Sequence, residues 1–483
     1  MAQSLKKTAA RGIRWTTLSA LAVTGAQLLQ IWIATQIVSP GELGLFYIMM
    51  LALGFLRIFA DGGFTLAIFH RQTISSEELS SVYWLTVAIG VAMYVGMAAV
   101  GAPLLALVYG EPRLHKLIAY GALSFVMVPF GLLFSALLRK ELHFDLVAKI
   151  EVAAALAGLA AMVIGALSGF GLLALVAGLL SGNAVRTALF VTLGASRWWP
   201  ERRLSFGAAG YFVRFGSFQI GERVTNYLAS RSDQMLISAF LGAEALAFYA
   251  LAWNLVVDPI FRINPIITRV FGALLAKVQS EPARLKRGFL SLIEIVALIN
   301  LPLVAGIAAI APLIVPLVFG EAWTPTVPLM QILAWVGAAK AIANPSGALV
   351  VAWGRADLAF RLSVIVALCQ LPVLTLAVQS GSVRIVAITI AIFQLFVLGG
   401  LYRLLYRPIL GGCLREWLAT WLLPLGFTAV MAASVVLAGR FLQLNGVVGI
   451  ALSIALGGAV YIGLYALFRR DMVASLIKLA LGR

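Results

Sequence analysis

The sequence predicts an all-α, polytopic membrane protein of about 14 transmembrane helices: two six-helix lobes related by pseudo-twofold symmetry, then two C-terminal helices. Three observations lead there: an apolar composition, apolar runs that return at the length of a bilayer crossing, and an internal repeat. Of the 483 residues, 62% are hydrophobic and 11% are charged. A mean hydropathy of +1.01 is far too high for a soluble chain of this size. The formal net charge of +17 does not point to nucleic acid, because the basic residues are scattered over short loops and suit a membrane surface better. Cys369 lies in an apolar run and Cys413 beside a basic loop, so no disulfide framework is indicated.

The first apolar run, 15–38, follows the charged segment MAQSLKKTAARGIR and has no small-residue cleavage site before Ser39-Pro40. That predicts a retained helix and not a removed signal peptide. At about 20 apolar residues per crossing, further spans follow at 43–69, 80–108, 116–138, 146–167, 171–194, 208–241, 245–272, 288–318, 326–351, 358–379, 385–403, 416–439 and 447–468. Several are longer than a perpendicular crossing needs, which implies tilt or projection beyond the lipid. An even number of spans puts both termini on one side. With that side inside, the inner segments hold 23 Lys and Arg, and the outer turns only Arg113, Lys116, Arg384 and Arg440. This bias predicts cytoplasmic termini. The longest inner connections, GASRWWPERRLS and AKVQSEPARLKR, are too short to fold as soluble domains, so any chemistry takes place among the helices. The tail FRRDMVASLIKLALGR suits a short amphipathic helix on the inner surface.

Residues 41–47 (GELGLFY) match 243–249 (AEALAFY) at an offset of 202, and 102–111 (APLLALVYGE) match 311–321 (APLIVPLVFGE) at 209 to 210. The offset covers six helices, so the copies share an orientation and are related by an axis along the membrane normal. In transporters that arrangement places the substrate site between the halves. The predicted domains are an N-lobe of six helices over 1–194, a cytoplasmic linker over 195–206, a C-lobe of six helices over 207–408, and two additional helices with the amphipathic tail over 409–483. The last part lies outside the repeat.

Nine bases and six acids stand within the spans. A charge at bilayer depth costs roughly 2.5–3.5 kcal/mol on insertion scales, so these residues need a reason to be there. Counted from the outer helix ends at 1.5 Å per residue, Arg57, Arg186, Arg223, Arg262 and Lys340 lie roughly 20–27 Å deep, in the inner half. Arg231 and Asp233 lie near mid-depth. Arg223, Tyr227 and Arg231 share one helical stripe, and Asp258 and Arg262 another. Pairing every acid leaves an excess of about three positive charges, for which a pyrophosphate is a fitting partner because guanidinium forks bind phosphate bidentately. Arg57, Arg223, Arg231, Arg262 and Lys340 are therefore the candidate substrate-binding residues. Asp61, Glu222, Asp233 and Asp258 are candidates either for ion coupling or for plain salt bridges, since Arg57 with Asp61 and Asp258 with Arg262 are each spaced i, i+4. Arg186, Arg214 and Arg269 are within reach of the inner interface and are expected to snorkel there. Lys149 and Glu151, at the start of a helix, carry little functional weight. Pro259, Pro265 and Pro345 either permit bending or form static kinks.

The run SPGELGLFY, followed by Arg57, Asp61-Gly62-Gly63 and a basic inner turn, resembles the start of the polysaccharide transporter (Wzx-like oligosaccharide flippase) family. Its superfamily also holds multidrug exporters and lipid II flippases. Residues 217–254 and 320–358 look most like the branch of colanic acid exporters, and the likeness covers about residues 10–410. The resemblance implies two six-helix lobes around a central cavity. It also implies alternating-access transport of an undecaprenyl-pyrophosphate-linked oligosaccharide across the bacterial inner membrane, for exopolysaccharide or lipopolysaccharide synthesis. Implied partners are the lipid-linked oligosaccharide, membrane lipids and a glycan polymerase complex, with no cofactor. Two other readings stay open. One is a cation-coupled multidrug exporter or lipid II flippase of the same superfamily; a drug exporter would carry fewer basic and more acidic cavity residues. The other is a membrane enzyme that polymerises or ligates lipid-linked glycan, for which a large outer loop is expected. His70, His115 and His143 have neither metal-site nor triad spacing.

Overall fold

The computed structural model describes residues 2–61, 64, 65, 68, 71, 74–201, 206–354 and 356–469, and every regular element among them is helical. Thirteen helical stretches of the described residues are long and apolar enough to cross a membrane. One of them, Ile220–Pro265, is interrupted at Gly242, whose φ of 88° and ψ of 177° suit glycine alone. Taking each side of that break as a span brings the number to about fourteen, the predicted figure. The chain forms two compact units, Met1–Ala247 and Phe248–Arg483.

In the first unit the helices are α1 (Ala2–Ile37), α2 (Pro40–Asp61), α3 (Ser76–Gly96), α4 (Ala102–Tyr109), α5 (Arg113–Ala122), α6 (Ser124–Lys140), α7 (Phe144–Leu167), α8 (Leu172–Gly194) and most of α9 (Phe206–Val256). Helices α2 and α3 start with the same device, a serine followed three residues later by glutamate. Glu78 N donates to Ser75 Oγ (3.2 Å) and Ser75 N to Glu78 Oε2 (2.9 Å); Glu42 N and Ser39 N do the same at 3.4 and 3.1 Å. Each pair satisfies two backbone donors that a helix start leaves without partners.

Helices α7 and α8 meet along a glycine seam. A Cβ on Gly158 would lie 2.8 Å from Gly178 O, one on Gly178 would lie 2.9 Å from Gly158 O, and one on Gly182 3.1 Å from Ala154 O. In lipid, where apolar side chains gain little by leaving their surroundings, small residues let two backbones close and collect dispersion contacts. Residues 151, 154 and 158 share one face of α7, and 178, 182 and 186 one face of α8. The seam therefore runs on into Glu151 and Arg186. The segment after α8 is strapped to α3: Trp84 Nε1 donates to Glu201 O (2.7 Å), Glu201 N donates to Ser80 Oγ (3.0 Å), and Trp198 lies 5.9 Å from the Tyr83 ring. The remainder of the predicted linker to 205, with Arg202 and Arg203, lies outside the described residues, as does the predicted amphipathic tail beyond Arg469.

The second unit continues with α10 (Asp258–Lys277), α11 (Pro282–Ile314), α12 (Thr326–Ala343), α13 (Ser346–Trp353), α14 (Ala356–Val378), α15 (Val383–Leu401), α16 (Arg407–Leu410), α17 (Leu414–Phe441) and α18 (Gly446–Phe468). Helix α11 is its spine, with α12, α17 and α18 packed along it. Lys286 pairs with Glu416 and Arg469 with Glu294, both at 2.7 Å, and Tyr461 Oη donates to Leu298 O at 3.0 Å. Asn300 Nδ2 donates to Asn264 Oδ1 and Val296 O, each at 2.8 Å, and both asparagines are 0% exposed. Both copies of the longer repeat motif reach a glycine at positive φ, Gly110 (φ 65°, ψ 21°), a left-handed helix cap, and Gly320 (φ 96°, ψ 162°), which is not one.

Candidate functional site

A cavity of about 710 Å³ lies inside the first unit, lined from α2, α6, α7, α8 and α9. Leu53, Phe125, Val128, Leu132, Leu179 and Phe190 supply apolar wall, and the charged lining consists of Arg57, Arg139, Arg186 and Arg223 with Glu151. The charged groups gather toward the end at which α2, α6 and α8 finish and α7 begins. Glu151 stands roughly 10 Å along α7 and Arg186 roughly 12 Å before the end of α8. Among the described residues the lining counts four guanidinium groups and one carboxylate, with Arg57 and Arg139 exposed and Arg186, Arg223 and Glu151 half-buried.

Two of the predicted binding residues, Arg57 and Arg223, come together in this cavity. Their placement follows from a contact one turn away. Tyr227 Oη donates to Leu51 O at 2.8 Å, and a Cβ on Gly54 would come within 2.6 Å of Tyr227 Oη. Glycine at 54 thus lets the tyrosine seat α9 against α2, and one turn further along each helix are Arg57 and Arg223. Glu222, beside Arg223, is exposed. On the other side of Tyr227, Arg231 is half-buried and donates to Gln234 Oε1 at 3.3 Å, while Asp233 is buried with 3% exposure. The Asp61 side chain lies outside the described residues, as do those of Arg214 and Arg269.

The other predicted residues belong to the second unit. Asp258 is the half-buried first residue of α10, and Arg262, one turn on, is exposed. Lys340 is half-buried, with Nζ 5.6 Å from the centroid of the Trp253 ring, a cation over an aromatic face.

Arg186 does not snorkel as its nearness to the helix end suggests. Its Nε donates to Glu151 Oε2 at 3.0 Å and its Nη1 to Asn183 Oδ1 at 2.9 Å. Arg139 Nη2 donates to the other carboxylate oxygen, Oε1, at 3.4 Å. A neighbouring helix that offers a carboxylate at this range outcompetes a stretch of eight more residues to the interface. Glu151 and Arg139 therefore enter the site, and sequence reasoning had set Glu151 aside. The readable signal is the seam: Gly178-x3-Gly182-x3-Arg186 on one helix and Glu151-x2-Ala154-x3-Gly158 on the other bring an acid and a base to the same end of one close contact. Lys149, two residues from Glu151, instead places Nζ 5.5 Å from the Trp15 ring.

The arrangement suits binding of a multiply charged anion that carries an apolar part. Guanidinium forks offer paired donors to phosphate oxygens. Among the described residues no three His, Cys, Asp or Glu side chains group as metal ligands.

The family model described as "Polysaccharide biosynthesis protein" matches residues 33–328. The chain is 30% identical over 421 residues to the lipopolysaccharide biosynthesis protein WzxC of Escherichia coli (strain K12), covering 87% of this chain and 85% of that one. It is 31% identical over 464 residues to the teichuronic acid biosynthesis protein TuaB of Bacillus subtilis (strain 168), covering 95% of each. Among solved structures it is similar in fold to the lipid II flippase MurJ in its inward closed conformation, with a TM-score of 0.78 at 14% identity over 96% of this chain and 100% of that one.

Proposed function

Because the chain belongs to the polysaccharide biosynthesis protein family, we propose that it is a flippase for undecaprenyl-pyrophosphate-linked oligosaccharide in the bacterial inner membrane. The observation that carries this reading is a cavity whose described lining joins four guanidinium groups and one carboxylate to apolar walls. Relatives named for lipopolysaccharide and teichuronic acid biosynthesis, and the fold of a lipid II flippase, suit a glycan cargo on a lipid carrier. In this reading both termini are cytoplasmic, and the arginine-bearing end of the cavity faces the cytoplasm, where the cargo loads. The polyprenyl tail stays in the bilayer while the headgroup crosses, and no covalent bond changes.

The repeat supplies two halves, residues 1–194 and 207–408, that rock in alternating access about the linker 195–206, while residues 409–483 serve as scaffold. Arg57 and Arg223 take the pyrophosphate first; Arg231, Arg262 and Lys340 receive it in later states. Asp61, Glu222, Asp233 and Asp258 act either in ion coupling or as counter-ions to these bases. A glycan polymerase complex takes over the delivered repeat unit.

The test is single replacement of Arg57, Arg223, Arg231 and Lys340 by Gln, with export and accumulated lipid-linked oligosaccharide measured at native protein levels. A lost phosphate contact of about 1.5–3 kcal/mol slows transport roughly ten- to a hundredfold. The same change at Arg197 or Arg284, which pair with Glu141 and Glu281, leaves export intact. Normal export by all four variants overturns the reading.

A further inference from the structure

The cavity already contains an anion of its own. We propose that the Glu151 carboxylate is a built-in competitor for the cargo: it occupies the Arg139 and Arg186 guanidinium groups in the empty cavity, yields them to a phosphate on loading, and returns to discharge it. The inference rests on the flippase reading and assigns the acid that this reading leaves without a role.

Three features support it. First, the two carboxylate oxygens are divided between two cations from different helices, Oε2 taking Arg186 Nε at 3.0 Å and Oε1 taking Arg139 Nη2 at 3.4 Å. A phosphate presents oxygens to the same two donors, with an additional oxygen and more charge, so the exchange is one of like for like. Second, Arg186 is held independently of the acid by Asn183 Oδ1 at 2.9 Å, so its guanidinium stays aimed when the carboxylate leaves. Third, the glycine seam fixes the spacing of α7 and α8, which confines the exchange to a side-chain rotation of Glu151. The Glu151 side chain is 26% exposed, enough for water to receive the displaced carboxylate. A purely structural ion pair would cross-link α6, α7 and α8 in the same place but would not oppose an incoming anion.

The two roles separate when the charge is removed. The full chain in lipid nanodiscs is titrated with farnesyl diphosphate, a polyprenyl diphosphate without sugar, and dissociation is followed after dilution. The competitor role predicts that Glu151→Gln binds the probe at least about fivefold tighter than the unaltered chain and releases it more slowly. Glu151→Asp, which keeps the charge, stays within about twofold, and Arg186→Gln weakens binding about tenfold. Glu151→Ser, smaller and also uncharged, shows the same tightening and guards against a poorly folded Gln variant. Unchanged or weaker binding in both uncharged variants, beside normal binding by the unaltered chain, overturns the competitor role alone. No binding by the unaltered chain overturns the diphosphate reading of the cavity and this inference together.

Discussion

In the first unit, four arginines and one glutamate line a cavity among apolar helices; in the second, the buried Asn264 and Asn300 hydrogen-bond to each other, and the half-buried Lys340 rests on the face of Trp253. Both units place polar atoms among apolar helices, yet the chemistry differs. The amides are neutral and bonded to one another, and what they cost lies in Asn264 Nδ2 and Asn300 Oδ1, which are buried without a hydrogen-bond partner. A charged cluster is different, because the Arg139 and Arg186 guanidinium groups that share the Glu151 carboxylate can trade it for another anion. The contrast assigns a static role to the polar interior of the second unit and an exchangeable partner to that of the first.

The strongest way to break the contrast is at the seam that holds the first unit's cluster together. Gly178→Val places side-chain carbon 2.9 Å from Gly158 O and should lower thermal stability in detergent by several kcal/mol, with loss of export. Gly306→Ala on α11, whose Cβ would find Met431 Cε at 3.9 Å, should cost less than about 1 kcal/mol. Equal stability of both variants would remove the seam as the determinant of the site. Next in size is the asparagine pair. Asn300→Leu strands a buried partner and should cost about 1–3 kcal/mol, whereas the double replacement with Asn264→Leu should recover much of the loss. A stable double variant that exports nothing would show the second unit's polar interior to be more than static. The smallest effect is expected for Glu416→Gln, the same chemical change as at Glu151 but at the rim of the second unit. Its pair with Lys286 at 2.7 Å is more than half exposed on the acid side, so stability should hardly change and export should hold. Diphosphate affinity altered by this variant would blur the distinction between the units.

Helix positions were legible because each crossing needs about 20 apolar residues and is bounded by charge, serine or glycine. The break before AEALAFY was legible too, through Gly242. Of the cavity, Arg57 and Arg223 could be read from one-dimensional bookkeeping, since each stands well inside the apolar run the sequence predicts for it, 43–69 and 208–241. Arg139, Glu151 and Arg186 could not. Each lies close enough to a helix end to be excused as interfacial, and their meaning arises only when α6, α7 and α8 are laid side by side. Depth is a property of one helix and can be counted; pairing across 35 residues depends on which faces meet, and here small residues decide that.

The ion pairs along α11 also bear on how the protein is made. Glu294 waits for Arg469, 175 residues later in the chain, and at roughly 5–20 residues per second that partner is synthesised on the order of 10–35 s afterwards. During that interval the nascent helix presents a carboxylate and the side that will receive Tyr461 to lipid, to the translocation machinery or to an insertion chaperone. Completion of the second unit is thus a post-insertion event tied to α18, the last described helix. A ribosome that stalls or terminates late in the message leaves an insertion intermediate with an open charged flank, a ready substrate for membrane proteolysis.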